Sequence, residues 1–122
     1  MSDPADLTTL TAQYCHRFDD GQIDDLLDLF EPDATVDLGG RVSTGHEQLA
    51  GFFHGIRKAT IGGRHLCVNP EFQVDGDSAT GVLDFLLVRV NGDPPTVGRY
   101  HDTYRRRDGR WRFAVRQIVT AG

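Results

Sequence analysis

The chain has 122 residues and a net charge of −5, with 39% hydrophobic and 25% charged residues. This length predicts one domain over residues 1–122, and the negative charge disfavours nucleic acid or an anionic membrane as the main partner. No apolar run approaches the ~20 residues that span a bilayer. An acidic start without a secretory-signal pattern, and two cysteines without metal-ligand spacing (Cys15 and Cys67), predict a cytoplasmic protein with reduced thiols.

Three helices are predicted in the first half of the chain. The first begins at Asp3-Pro4, with Asp3 as its cap, and ends near Gly21. Its inward stripe has helical spacing: Leu7, Leu10, Tyr14 and Phe18. A second, short helix includes Phe30 and stops at Glu31-Pro32, because proline disfavours helix in the residue before it. The third opens at Thr44–Glu47, which matches a capping box.

The rest of the chain alternates strands with turn sequences. A short strand and a Gly39-Gly40 turn precede the third helix. Four strands then follow, at about 64–75, 79–90, 96–107 and 110–119. Helices followed by an antiparallel meander predict an α+β fold.

The third and fourth of these strands mix aromatic with ionisable residues. Strand alternation puts Tyr100, Asp102 and Tyr104 on one side, and a buried carboxylate is costly unless it is partnered or used. With Tyr14 from the first helix and His65 from an earlier strand, they predict a small cone with a polar-tipped pocket.

His65 is the candidate general base. Asp84 lies in a run that is apolar on both faces, where a charge must be paired, neutralised or exposed to a wet cavity. We expect Asp84 to hydrogen-bond His65 and orient its ring. Counting back from a turn at Gly76 sets His65 opposite Leu87, three positions from Asp84, which strains this contact. The alternative for Asp84 is a structural ion pair with a nearby arginine.

Three other features have two interpretations each. Tyr14 is either a core tyrosine or a donor that polarises a substrate carbonyl. Arg116 alternates opposite to Trp111, Phe113 and Val115, so it faces either solvent or the pocket. The basic run 105–107 is either a solvated hairpin tip or an anion-binding patch, and the lack of a stacking motif favours the former.

The order of the elements, with segment 30–36 after the second helix and Trp111 in the last strand, resembles the nuclear-transport-factor-like superfamily. This group includes ketosteroid isomerases, scytalone dehydratase, bile-acid dehydratases and SnoaL-like polyketide cyclases. The resemblance covers nearly the whole chain. It implies a cone-shaped, strongly curved antiparallel sheet wrapped around the helices, an internal apolar pocket and a homodimer. One such fold hosts many activities and also noncatalytic members.

The resemblance also implies roles for particular residues. His65 lies where the dehydratases carry their catalytic histidine, and Asp19 where they place a carboxylate. Tyr14 matches a pocket tyrosine of the dehydratases and the isomerases. Asp84 lies near the position of a second histidine or an aspartate in the dehydratases. Asp102 matches the proton-donating aspartate of the ketosteroid isomerases. In those enzymes an apolar site keeps that aspartate protonated.

One departure from the isomerase pattern affects the general base. That base would align with Leu38, and the nearby Asp37 is one residue early, which turns its side chain to the other face unless a bulge intervenes. We expect the pocket wall to include six residues that would contact substrate: Phe18, Leu38, Phe53, Tyr100, Tyr104 and Arg116.

Together these patterns predict a cofactor-free lyase or isomerase acting on a small hydrophobic oxygenated molecule such as a steroid, polyketide or terpenoid. No metal site or phosphate loop is expected. The alternatives are a ketosteroid-isomerase-type enzyme and a noncatalytic binding or dimerisation module. A pocket of about 300 Å³ or more, lined by Tyr14, His65 and Asp102, would favour the enzyme. We further expect Asp102→Asn to keep or raise stability while it lowers turnover.

Overall fold

A computed structural model describes residues 2–121. Its three helices are α1 (Asp3–Asp19), α2 (Ile23–Leu27) and α3 (Gly45–Ala59). Its six strands are β1 (Phe30–Leu38), β2 (Arg41–Thr44), β3 (Arg64–Asp75), β4 (Ser78–Val88), β5 (Thr96–Arg107) and β6 (Arg110–Thr120). The predicted α+β class is confirmed, and the predicted element order is the one observed.

The strands form one sheet in the order β2-β1-β6-β5-β4-β3, so β2 and β3 are its edges and the sheet is not closed. Strands β3 to β6 form the expected antiparallel meander. The pairing of β1 with β6 is parallel, however, so the sheet is mixed, whereas the resemblance implied an antiparallel one. Parallel neighbours need a long crossover connection, and here everything from β2 to β5 lies between the two strands.

Three local details differ from the sequence predictions. Ser2, not Asp3, caps α1, since its Oγ accepts from the backbone N–H of Ala5 at 3.3 Å. Thr44 precedes α3 as expected, but its side chain makes no capping bond, and its backbone N–H donates to Gln48 Oε1 instead. Phe30 begins β1 rather than ending α2. Pro32 fits within the strand because the β1–β6 ladder is interrupted between residues 30 and 35.

The core lies between the helices and one face of the sheet, called here the inner face. Helix α1 packs on β3 and α3 packs on β1. The predicted stripe of α1 is buried throughout, together with Leu49, Phe52 and Phe53 of α3. The helices therefore cover the inner face at both edges of the sheet.

A bulge in β6 decides which of its residues face inward. The β5–β6 register shifts at Tyr104–Phe113, so the next pair is Thr103–Val115 and Ala114 is the extra residue. As a result Phe113 and Arg116 are both buried, while Val115 is 38% exposed. Simple alternation from Trp111 would have separated these two side chains onto opposite faces.

Gly98 on β5 makes room for an aromatic ring on the inner face. A Cβ atom at this position would overlap the ring of Phe85, which lies directly opposite on β4. The missing side chain lets Phe85 stack on Tyr100, with ring centroids 4.4 Å apart and planes within 12°.

The opposite, outer face carries exposed apolar side chains, among them Val97, Val115 and Val119. The predicted homodimer would cover this face, and it stays a prediction. Within residues 2–121, no helix has both the length and the apolar character needed to cross a membrane. The cytoplasmic location likewise stays a prediction.

Candidate active site

Asp19 and His65 form a hydrogen-bonded pair between the end of α1 and the start of β3. His65 Nδ1 lies 2.7 Å from Asp19 Oδ1, and the backbone N–H of His65 donates to Asp19 Oδ2 at 2.8 Å. Their side chains are only 7% and 6% exposed. Because both carboxylate oxygens are engaged by one residue, the imidazole ring is fixed relative to the helix end.

The predicted contact between His65 and Asp84 was wrong. His65 pairs with Leu87 and Asp84 with Val68, so an odd offset places the two side chains on opposite faces of the sheet. Asp84 accepts from Arg99 Nε at 2.8 Å and from Asn69 Nδ2 at 3.0 Å. The hydrogen bond from Arg99 lowers the pKa of Asp84. Asp84 is therefore part of a surface ion pair with an arginine, which was the alternative interpretation of its position in the sequence.

A cavity of about 240 Å³ opens beside His65. It is mostly apolar, and its polar side chains are Tyr14, His65, Tyr100, Arg89 and three threonines. Its apolar lining includes Phe18, Leu38, Phe52, Ile56, Phe85, Leu87 and Ile118. The cavity is smaller than the expected 300 Å³ or so, and Asp102 does not line it.

The six predicted wall residues are divided between the cavity wall and the core. Phe18 and Leu38 line the cavity as predicted. Phe53 and Tyr104 do not: both are fully buried in the core behind it. Leu38 faces the cavity, whereas Asp37 accepts a hydrogen bond from the backbone N–H of Gly40 and lines a groove with residues of the outer face. The position of the isomerase base is thus occupied by an apolar side chain.

The His65–Asp19 geometry fixes the chemistry available at the ring. A carboxylate bound to Nδ1 selects the tautomer that carries its proton there, which leaves Nε2 as the unprotonated nitrogen. That carboxylate also stabilises the imidazolium formed when Nε2 takes up a proton. His65 can therefore act as a general base toward a molecule in the cavity.

Two phenols face the same cavity. Burial raises the pKa of Tyr14 to about 12 and raises the pKa of Tyr100 well above its usual value. Both hydroxyls therefore keep their protons at neutral pH. The Tyr14 ring lies 6.4 Å from the His65 ring and 6.0 Å from the Tyr100 ring, centroid to centroid. A hydrogen-bond donor and a base thus lie at one end of the cavity.

Asp102 lies in a closed polar cluster behind the cavity. Arg116 Nε and Nη2 donate to its two oxygens at 2.8 and 2.7 Å, and Tyr104 Oη–H donates to Oδ2 at 2.6 Å. A carboxylate in contact with a permanent cation accepts these bonds as an anion. The prediction that Asp102 is a protonated acid kept neutral by an apolar site was therefore wrong.

Arg116 is fully buried, so it faces neither the solvent nor the cavity, the two orientations that the sequence allowed. Its guanidinium carbon lies 3.6 Å from the centre of the Tyr100 ring, 4.3 Å from that of Tyr14 and 4.5 Å from that of Phe113. It does not line the cavity. Instead of contacting substrate, Arg116 lies behind the two cavity tyrosines as a fixed positive charge.

The two thiols lie next to this cluster. Cys15 Sγ and Cys67 Sγ are 3.3 Å apart, and both cysteines are free. The hydrogen bond between the two thiols lowers the pKa of Cys67 and raises that of Cys15. Among the described residues, no three His, Cys, Asp or Glu side chains are grouped closely enough to share a metal ion.

The basic run 105–107 is neutralised by carboxylates. Arg105 and Arg107 lie 3.8 and 2.8 Å from Glu31, and Arg106 binds Asp3 at 2.8 Å. These pairs favour the structural interpretation of the run over an anion-binding patch.

Asp19 has no distinctive local sequence pattern, and Arg89 was not among the predicted wall residues. Asp19 sits among other acids at a helix end, so only the resemblance marked it. Strand alternation offered a signal for Arg89, which continues the inward series of Phe85 and Leu87. The bulge at residue 114 had no such signal.

Comparisons with known proteins agree with this architecture. The family model described as SnoaL-like domain matches residues 1–117. No curated protein sequence is significantly similar to this chain.

Solved structures share the fold at low sequence identity. A protein of unknown function from Mycobacterium tuberculosis is 24% identical, with a TM-score of 0.91, over 98% of this chain and 72% of that chain. A putative scytalone dehydratase from Novosphingobium aromaticivorans is 22% identical, with a TM-score of 0.83, over 98% and 85%. A hexachlorocyclohexane dehydrochlorinase is 21% identical, with a TM-score of 0.81, over 98% and 85%.

Proposed function

Because the chain belongs to the SnoaL-like domain family, we propose that it is a cofactor-free lyase that eliminates water or a halide from a small, largely apolar molecule. The observation that carries this proposal is the His65–Asp19 pair at the wall of an apolar cavity. Two structural neighbours bear names of elimination enzymes, a putative dehydratase and a dehydrochlorinase.

The first step is removal of a proton from carbon. His65 Nε2 takes the proton from the carbon next to an electron-withdrawing group, and Asp19 stabilises the resulting imidazolium through Nδ1–H. The electron pair of the broken C–H bond forms the new C=C bond. General-base assistance of this kind contributes roughly 10²–10⁴-fold in rate.

The second step is departure of the leaving group from the adjacent carbon. As the C–O bond breaks, Tyr14 Oη–H gives its proton to the leaving hydroxyl, and a leaving halide would depart as the anion. A phenol with a pKa of about 12 is a stronger acid than water, so this transfer is favourable. When water is eliminated, the proton on His65 returns to Tyr14 through solvent. When a halide is eliminated, Tyr14 keeps its proton and His65 releases its proton to solvent, so the site returns to its starting state in both cases.

The substrate is a compact molecule. Cavities for drug-sized ligands usually measure about 300–1,000 Å³, and this one measures about 240 Å³. This favours a one- or two-ring polyketide or terpenoid over a four-ring steroid. Elimination is also favoured over double-bond migration, because Leu38 occupies the position where the isomerase base would lie.

Exchange of carbon-bound hydrogen in heavy water tests the base directly. Small β-hydroxy ketones would be incubated with the protein, and both C–H exchange and formation of the enone would be followed by NMR. His65→Gln and Asp19→Asn should each lower both rates by about 10²-fold or more. Asp84→Asn removes a carboxylate from the outer face and is the matched control. Equal rates in Asp19→Asn and Asp84→Asn would exclude the pair as the catalytic base.

The second candidate function is a noncatalytic binding module. It is favoured by the enclosure of Asp102. Among the described residues that line the cavity, only His65 and the two tyrosines then remain as groups that could exchange a proton with a ligand. In that case ligands would raise the melting temperature by mass action. They would show no exchange above the rate measured with His65→Gln.

A further inference from the structure

Arg89 places a cation at the cavity, although it lies just beyond the end of β4. Phe85, Leu87 and Arg89 alternate with outward residues, and all three line the cavity. Among the described residues of that lining, Arg89 is the only Lys or Arg, and it is half-buried. The lining also includes Thr60, Thr96 and Thr120, and Thr96 accepts a hydrogen bond from Arg89.

Most donors of Arg89 have no protein partner in the described part of the chain. Nη1 donates to Thr96 Oγ1 at 2.7 Å, and within residues 2–121 no carboxylate lies within 4.0 Å of the guanidinium. By contrast, Arg99 and Arg116 each bind an aspartate. A half-buried guanidinium without a counter-charge is suited to a planar anion, which it can bind through two parallel N–H groups.

We propose that Arg89 binds a carboxylate carried by the substrate, so that the substrates are small apolar carboxylic acids. The position assigned to the reacting carbon rests on the proposed function. The preference for a carboxylate does not depend on catalysis and can be tested by binding alone. Leu87 lies opposite His65 in the sheet, and Arg89 is two residues further along the chain, just past the end of β4. Two residues advance a strand by about 7 Å. The carboxylate and the acidic C–H are thus separated by a short apolar body.

The competing explanation is that Arg89 only ties the β4–β5 connection to Thr96. A structural tie would affect neutral and anionic ligands equally, whereas a carboxylate site would affect only the anionic ones. Two ligands of the same shape, one anionic and one neutral, therefore distinguish these explanations.

The test compares 3-phenylpropanoate with 3-phenylpropanamide by isothermal titration. The wild-type protein should bind the acid about tenfold or more tightly than the amide, as hydrogen bonds to charged groups do. Arg89→Gln should bind the two about equally, Arg89→Lys should keep part of the preference, and amide binding should change little. Arg99→Gln, which removes an arginine from the outer face, should retain the full preference.

A wild-type protein that binds both probes equally or binds neither would overturn the proposal. So would an Arg89→Gln variant that keeps the preference. The same titration with His65→Gln separates this proposal from the enzymatic one. If that variant keeps its preference for the acid while no elimination is found in the wild type, the catalytic proposal fails and the carboxylate site stands.

Discussion

Two buried carboxylates, Asp19 and Asp102, occupy different environments in this molecule. Asp19 lies at the end of α1 and binds His65, a group that can gain or lose a proton beside the cavity. Asp102 lies in mid-strand on β5 and binds Arg116, a permanent cation sealed from the cavity. Both pairs satisfy the rule that a buried charge needs a partner.

The difference lies in what each partner can do. An imidazole can take up and release a proton, so the Asp19 pair suits proton transfer. An arginine remains protonated, so the Asp102 pair is a fixed charge arrangement. Chemistry is therefore expected at the first pair, and stability and a fixed electrostatic field at the second.

The largest expected effect is on stability, at Asp102. Asp102→Asn leaves Arg116 buried without its counter-charge, and one of its nitrogens, Nη1, already has no hydrogen-bond partner among the described residues. We expect a loss of about 3–5 kcal/mol in the free energy of unfolding, measured by urea denaturation. This reverses the expectation from the sequence that Asp102→Asn keeps or raises stability.

The double variant Asp102→Leu/Arg116→Met is the control for this prediction. It removes both charges and should recover most of the lost stability, as replacement of buried ion pairs often does. An Asp102→Asn protein as stable as wild type would show that the pair is not closed.

The next largest effects distinguish the two regions through one tyrosine in each, Tyr14 at the cavity and Tyr104 beside Asp102. Tyr14→Phe removes a donor that lines the cavity, and we expect turnover to fall about 10²-fold with little change in stability. Tyr104→Phe removes the hydrogen bond to Asp102, and we expect a loss of roughly 1–3 kcal/mol in stability with turnover nearly unchanged. Steady-state kinetics and urea denaturation of both variants check this, and an exchange of the two patterns would contradict the assignment.

The smallest expected effect is a fall in the stability of the folded protein at alkaline pH. Burial raises the pKa of Tyr14 from 10.0 to about 12 in the folded protein, so the unfolded state releases this proton first. The contribution of Tyr14 to stability is thus complete below pH 10 and is lost as the pH rises through 12. Tyr100 and Tyr104 shift in the same direction.

Urea midpoints measured across that alkaline range should fall steadily. Tyr14→Phe should show a shallower fall, because one of the shifted groups is absent. An identical slope in the variant would mean that Tyr14 does not titrate differently in the two states.

Much of the fold could be predicted because its signals are local. The stripe of α1 and the turns that bound β3 to β6 follow from helical spacing and from Gly, Asn and Asp in turns. The same local patterns put Tyr14 and Tyr100 on inward faces, where the structure has them. The SnoaL-like fold followed from the order of these elements.

What local pattern could not provide was pairing across the molecule. Asp19 and His65 are separated by 46 positions, and only the packing of α1 on β3 brings them together. The odd offset between His65 and Asp84 was visible in the strand count, yet the face that each residue took depended on the actual register.

The sequence by itself determined the elements, the inward aromatic residues and a candidate histidine base with acids in the same fold. The tertiary structure alone decided which acid pairs with that histidine and which is neutralised by an arginine. The physical reason is that a single extra residue, Ala114, reverses the faces of β6 and turns Arg116 into the core. Arg116 then fixes Asp102 as a structural anion, while the packing of α1 on β3 pairs Asp19 with His65.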